Sequence, residues 1–182
     1  LEGIDFDFRI VDDPNELKDI IFKKNKLNNK ARLVAGYCWD WISRRDKKNN
    51  DIIIPEYNFQ MKWNLGTTTT WAIDKNSVSE VGCIHTSQGL EFDYVGVIIG
   101  PDLVARDEVV LVDPSKRAKS DNSLRGYKKL LKEDPEEAKE KIRAIIKNTY
   151  RTLMTRGMKG CYVYFTDKET EKYFKNHLKQ ML

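Results

Sequence analysis

The run Tyr94-Val95-Gly96-Val97-Ile98-Ile99-Gly100 carries no charged residue. It is strand length, far short of a membrane span. A strand apolar on both faces must be covered on both, which is the situation of a strand inside a parallel sheet flanked by helices. Val81–His85, Arg32–Cys38 and Cys161–Phe165 read as further strands. Helical patterns lie between them. Asp12-Asp13-Pro14 opens one, with Asp13 at the N-cap and Pro14 at the first helical position, and Leu17, Ile20 and Ile21 share a face. Asp134-Pro135-Glu136-Glu137 opens a longer one, reaching Met154, with an inward stripe of Ile142, Ile145, Ile146, Thr149 and Leu153. A last helix spans Lys168 to Met181. Strands alternating with helices predict an α/β fold, a mostly parallel sheet with helices on both faces.

Other stretches fit less regularly. Phe6–Val11 alternates as a short strand, and Glu108–Val112 reads as another. Lys116–Ser123 is polar and reads as a mobile connection. From Trp39 to Thr70 the pattern breaks. Ile52–Ile54 and Phe59–Trp63 suit a hairpin. The stretch at about 39–71 is expected to be an excursion from one domain spanning 1–182. Trp39, Trp41, Trp63 and Trp71 fall there, among Arg44, Arg45, Lys47 and Lys48. Two readings fit them: aromatics that stack on bases between cations, or rings that cover a sheet edge or a partner domain.

Length and charge set bounds. The 182 residues suit one domain with an ample core. Lysine and arginine number 32 against 28 acids, a net +4, which permits contact with nucleic acid or nucleotide phosphates without requiring it. Cys38, Cys83 and Cys161 are odd in number and widely spaced. They suggest neither a disulfide framework nor, with two histidines, a zinc site. A reducing, cytoplasmic setting is expected, with no membrane partner. The chain opens on Leu1 in what reads as mid-domain sequence, so a fragment of a longer protein is expected.

Two segments concentrate polar chemistry at the ends of buried elements. The first, His85-Thr86-Ser87-Gln88-Gly89-Leu90-Glu91-Phe92, sits between two strands. His85 and Thr86 stand at a carboxyl strand end, where α/β sheets bind ligands. Gln88-Gly89 allows a tight turn, and Glu91 offers a carboxylate suited to sugar hydroxyls. A plain polar connection fits the same residues. The second, Tyr150–Gly160, lies between the long helix and the last strand. Arg156 at a helix end either complements the helix dipole or sets a planar cation against a phosphate, and Arg151 is open to both readings too.

Taken together, the wording resembles motifs V and VI of superfamily 1 helicases, in their second RecA-like domain. HTSQGLEF matches the first and LMTRGMKG the second. LVAGYCWDW, EVGCIHTSQGLEFDYVGVIIG and NTYRTLMTRGMKGCYVYF are further similar to a bacterial family of predicted helicase-like ATPases. The resemblance covers about Phe6 to Phe165. It implies a RecA-like P-loop NTPase fold. It implies that Arg156 is the finger to the γ-phosphate and that Glu91 approaches the ribose. Gln88 and Gly89 would line the nucleotide cleft, assisted by Arg151. His85 and Thr86 would face a nucleic-acid strand, DNA or RNA, or couple it to the cleft. Gly157 stands where alanine is usual, and Gln88 where many helicases have lysine.

No Gly-x-x-x-x-Gly-Lys-Ser/Thr run occurs in the chain. In superfamily 1 that loop and the acidic magnesium motif lie in the first RecA-like domain. The resemblance therefore implies ATP with Mg2+ held mainly by an N-terminal RecA-like domain of the same protein. This chain would be the carboxyl-terminal half of a helicase-like ATPase, inactive alone. The alternative is a degenerate RecA-like binding module without an ATPase cycle.

Overall fold

A computed structural model describes residues 6–64, 70–87, 89 and 91–181. Nine strands and four α-helices follow one another as β1 (Asp7–Val11), α1 (Pro14–Asn28), β2 (Ala31–Ala35), β3 (Ile52–Ile54), β4 (Phe59–Trp63), β5 (Glu80–Gly82), β6 (Phe92–Ile99), β7 (Leu103–Arg106), β8 (Val109–Val112), α2 (Tyr127–Glu133), α3 (Pro135–Met154), β9 (Gly157–Phe165) and α4 (Lys168–Met181) among the described residues.

Seven strands form one sheet in the order β1-β9-β6-β2-β5-β4-β3. Every pair is parallel except β3 with β4. The apolar run of β6 lies centrally, between β9 and β2, with Val95 and Val97–Ile99 buried. Alternation divides its neighbours between two cores. Leu33, Ala35, Tyr162 and Tyr164 face Leu17 and Ile21 of α1. Val34, Cys161, Val163 and Phe165 join Ile142, Ile146, Tyr150 and Leu153 of α3, with Phe174 of α4 packed against them. Helices thus cover both faces, as the hydrophobic pattern requires. No described helix is long and apolar enough to cross a membrane.

The helix boundaries follow their capping residues. Asp13 accepts from Asn15 N–H at 2.7 Å and Pro14 opens α1; Asn29, in the left-handed region at φ 59°, ends it. Asp134 accepts from Glu137 N–H at 3.0 Å ahead of Pro135 in α3. Just past α1, Arg32 is fully buried and donates to Ser77 Oγ (2.8 Å), Asn25 Oδ1 (2.6 Å), Asn29 Oδ1 (3.0 Å) and the Asp74 carbonyl (2.8 Å). Burial pulls its guanidinium down to about 10.

Two expected elements form and find partners that the sequence did not show, and a third stretch differs from its reading. The hairpin β3–β4 does form, and it extends the main sheet, with β4 parallel to β5. Trp63 and Trp71 are buried core residues, and Trp39 and Trp41 pack against the core. β8 pairs with β7 in a separate antiparallel hairpin, since Asp107 and Glu108, both at positive φ, turn the chain back on itself. Lys116–Ser123 is pinned rather than loose. Arg117, almost wholly buried, donates to Asp102 at 3.0 Å and to Asp121 Oδ2, and Ala118 N–H bonds the Tyr37 carbonyl at 2.9 Å. A charge run reads as solvated until its partners, here fifteen residues upstream in the case of Asp102, are placed beside it.

Candidate functional site

β5 ends at Gly82, and the chain turns sharply. Thr86 and Ser87 N–H both donate to the Cys83 carbonyl at 3.1 Å, and Ser87 Oγ adds a third bond at 3.0 Å. Ser87 is buried beneath the turn. Thr86 Oγ1 donates to Asn64 Oδ1 at 2.8 Å, tying the turn to the end of β4. His85 projects into solvent from the apex. Gly89 is exposed at φ 73°, and a Cβ there would meet nothing within 4 Å. The left-handed backbone, not crowding, is therefore what asks for glycine. Gln88 and Leu90 lie outside the described residues.

The segment then crosses to the opposite end of the sheet. Gly82 is level with Val34 of β2, itself level with Val97 of β6. Phe92 opens β6 five residues before Val97, about 16 Å lower at ~3.3 Å per residue. His85 and Thr86 therefore stand at the carboxyl edge, and the exposed Glu91 at the amino edge.

At that amino edge the second segment meets the first. The inward stripe of α3 brings its last turn onto β6, with Leu153 fully buried. Thr155 N–H closes the helix on the Arg151 carbonyl at 3.1 Å. Arg156 follows, half-buried, and its carbonyl accepts from Phe92 N–H at 2.8 Å. Phe92 and Gly157 are register partners. Glu91 and Arg156, more than sixty residues apart in the chain, thus flank one hydrogen bond. Phe92 is anchored by its ring, edge-on to Trp71 with centroids 6.2 Å apart.

The glycines here are steric. A Cβ on Gly157 would lie 2.2 Å from the Gly160 carbonyl oxygen, and one on Gly160 2.7 Å from that of Asp7. Alanine at position 157 has no room in this backbone, which accounts for the departure from the helicase wording. Beside them Lys159 pairs with Asp93 at 2.7 Å, and Asn28 donates to the same carboxylate at 2.8 Å. Lys159, then Asn28, hold the Asp93 carboxyl below its ordinary value. Lys159 thus pairs with a carboxylate on the neighbouring strand.

Arg151 takes a different place from Arg156. It is exposed on α3 and lines a cavity of about 470 Å³ between α3 and α4, with Met154, Phe174 and His177. The structure thus unites Glu91 with Arg156, sets His85 and Thr86 at the far edge, and leaves Arg151 on the α3–α4 groove. Among the described residues no cluster of three or more His, Cys, Asp or Glu side chains can hold a metal ion. The amino edge supplies a cation and a carboxylate, which suit a phosphate and a sugar, but no metal-binding set.

Sequence reasoning missed a buried polar knot just past the carboxyl end of β6. Tyr150 of α3 donates from its hydroxyl to Asp102 and accepts from Gly100 N–H at 2.9 Å, while Asp102 also receives Arg117. Burial, with Cys38 and Asp102 nearby, pushes the Tyr150 phenol well above its ordinary value. The only sequence signal was a tyrosine on the inward face of a helix.

Residues 1–167 match the family model described as Schlafen group 3, DNA/RNA helicase domain. The chain belongs to this family. An uncharacterized protein of Saccharomyces cerevisiae is 31% identical over 169 residues, covering 90% of this chain and 35% of its own length. The chain thus spans about a third of the curated relative it matches. No solved structure matches it. The helicase-domain wording of the two segments and the Schlafen-type family match agree at the level of family.

Proposed function

We propose that this Schlafen group 3 domain is the second RecA-like half of a helicase-like ATPase, and that its amino edge delivers an arginine to ATP. The supporting observation is the bond from Phe92 N–H to the Arg156 carbonyl, which brings the segments carrying Glu91 and Arg156 to one edge of the sheet. Arg156, fixed at the end of a capped and buried helix turn, places a permanent cation for the charge that develops on the γ-phosphoryl group. Glu91 would accept from ribose hydroxyls, and Gln88 and Gly89 would line the nucleotide cleft. ATP supplies the phosphoanhydride bond whose cleavage drives the cycle. Its β and γ phosphates and Mg2+ would be held by an N-terminal RecA-like domain of the full-length protein.

The chain between the two edges gives this half a means of transmission. The segment from Cys83 to Phe92 spans the sheet, from the turn that would face nucleic acid through His85 and Thr86 to the carboxylate that would face nucleotide. A strand held at one edge and ATP at the other would bias the same segment. Three free cysteines, two of them buried, suit a reducing cytoplasmic location.

Full-length protein should hydrolyse ATP in the presence of Mg2+ and single-stranded nucleic acid. Glu91→Ala should raise the KM for ATP several-fold with a smaller change in kcat, because a sugar contact is made equally in ground and transition states. Absence of turnover in the unaltered protein would favour a binding module without an ATPase cycle.

A further inference from the structure

The carboxyl edge carries a second feature beside the turn of His85 and Thr86. Residues 42–50 hold Arg44, Arg45, Lys47 and Lys48, all exposed, against a single carboxylate, Asp46. That carboxylate is engaged locally, accepting from Lys48 N–H at 3.0 Å and Asn49 Nδ2 at 3.2 Å. None of the four cations forms an ion pair with a carboxylate among the described residues. The lysines of α2 and α3 behave differently, interleaved with acids in pairs such as Lys129–Glu133 and Lys141–Glu137. Those form an ordinary solvated face. The loop concentrates one sign of charge.

The loop is also built to hold its shape. The buried Asp51 side chain accepts from Ser43 N–H (2.7 Å), Ser43 Oγ (2.5 Å) and Trp63 N–H (2.8 Å), so both ends of the loop and the last residue of β4 share one carboxylate. Trp63 Nε1 donates to the Trp39 carbonyl at 3.0 Å, and Lys62 Nζ to that of Lys47. Arg44 lies 5.9 Å from the Trp41 ring, and Ile42 is half exposed beside it. Cations set on a fixed backbone lose less freedom on binding than cations on a mobile one.

Trp63 leads directly to Asn64, which accepts from Thr86. A continuous chain of contacts, Thr86–Asn64–Trp63–Asp51–Ser43, joins the turn to the basic loop along the carboxyl ends of β5, β4 and the strand-following loop of β2. We propose that residues 42–48 form a phosphate-gripping arm for single-stranded nucleic acid, extending the path that begins at His85 and Thr86. The contacts are to backbone phosphate, common to DNA and RNA, with Trp41 and Ile42 as an apolar floor. This rests on the helicase-like reading and gives it a binding surface outside the two helicase-like segments.

The test compares the full-length protein with Arg44→Gln/Arg45→Gln/Lys47→Gln/Lys48→Gln, using oligothymidylate and oligouridylate over a range of salt. Each lost phosphate contact on a single strand reduces the slope of log affinity against log salt by about 0.7. The variant should bind tenfold or more weaker at moderate salt, with a slope flatter by about 1 to 3. Comparing the two oligomers shows which nucleic acid is preferred. A control, Lys128→Gln/Lys129→Gln/Lys132→Gln/Lys139→Gln, removes the same charge from α2 and α3 and should bind like the unaltered protein. Arg44→Lys/Arg45→Lys should retain most of the slope. If the unaltered protein binds and the loop variant matches it in affinity and slope, or the control loses as much, the arm is overturned while the helicase-like reading stands. If the unaltered protein binds neither oligomer, the nucleic-acid reading falls and the arm with it.

Discussion

At the scale of single residues, backbone clearance decides what the junction of the two segments tolerates. Gly157 faces the Gly160 carbonyl oxygen at a distance no Cβ can occupy. Gly157→Ala should therefore cost about 1–3 kcal/mol, read as a lowered urea midpoint with unchanged slope, even though alanine is usual at this point of the helicase wording. A variant as stable as the original would show that the start of β9 relaxes freely. Tyr150 poses the complementary case, a buried hydroxyl serving two partners. Tyr150→Phe leaves Gly100 N–H without its acceptor and Asp102 with one donor fewer, and should cost about 1–3 kcal/mol in the same measurement. Neither residue announces its role in the sequence. Gly157 was legible only as a small residue ending a helix, and Tyr150 only as an aromatic near its end, because the atoms they meet come from elsewhere in the chain.

Elements were more legible, because their signals are local. Asp13-Pro14 and Asp134-Pro135 mark α1 and α3 through bonds made within three residues, and the apolar run of β6 states its own burial on both faces. The hairpin β7–β8 was half seen: the second strand stood out, but its turn depends on Asp107 and Glu108 adopting positive φ, which neither residue advertises as glycine would. The polar run before α2 was misjudged because Asp102 and Arg117 meet only after folding. α4 offers a test at this scale. Asp167 accepts from Thr170 N–H at 2.8 Å at the start of the helix and pairs with Arg106 at 2.8 Å. Arg106 and the Thr170 bonds pull its carboxyl down to about 2. A carboxylate with a depressed folded pKa stabilises fully above its unfolded value near 3.9 and loses that contribution as pH falls toward 2. Arg106→Gln should lower stability at neutral pH by roughly 1 kcal/mol and flatten the loss between about pH 4 and 2. An acid limb as steep in the variant as in the original would mean that other carboxylates set it.

At the scale of the whole molecule, the proposed function divides the work between the two edges of the sheet. The amino edge carries Glu91 and Arg156; the carboxyl edge carries His85, Thr86 and the basic loop. Family membership places the domain among Schlafen group 3 helicase domains. The wording of the two segments singled out Glu91 and Arg156, and the structure places both at the amino edge of the sheet. That Phe92 N–H bonds the Arg156 carbonyl was not legible, because it depends on the parallel register between β6 and β9. The most direct test of the account is Arg156→Ala in the full-length protein, with ATP binding and hydrolysis measured side by side. Binding should change little, while turnover falls about 10³-fold or more, the range expected for loss of an arginine that acts only on the transition state. Turnover equal to that of the unaltered protein would contradict it.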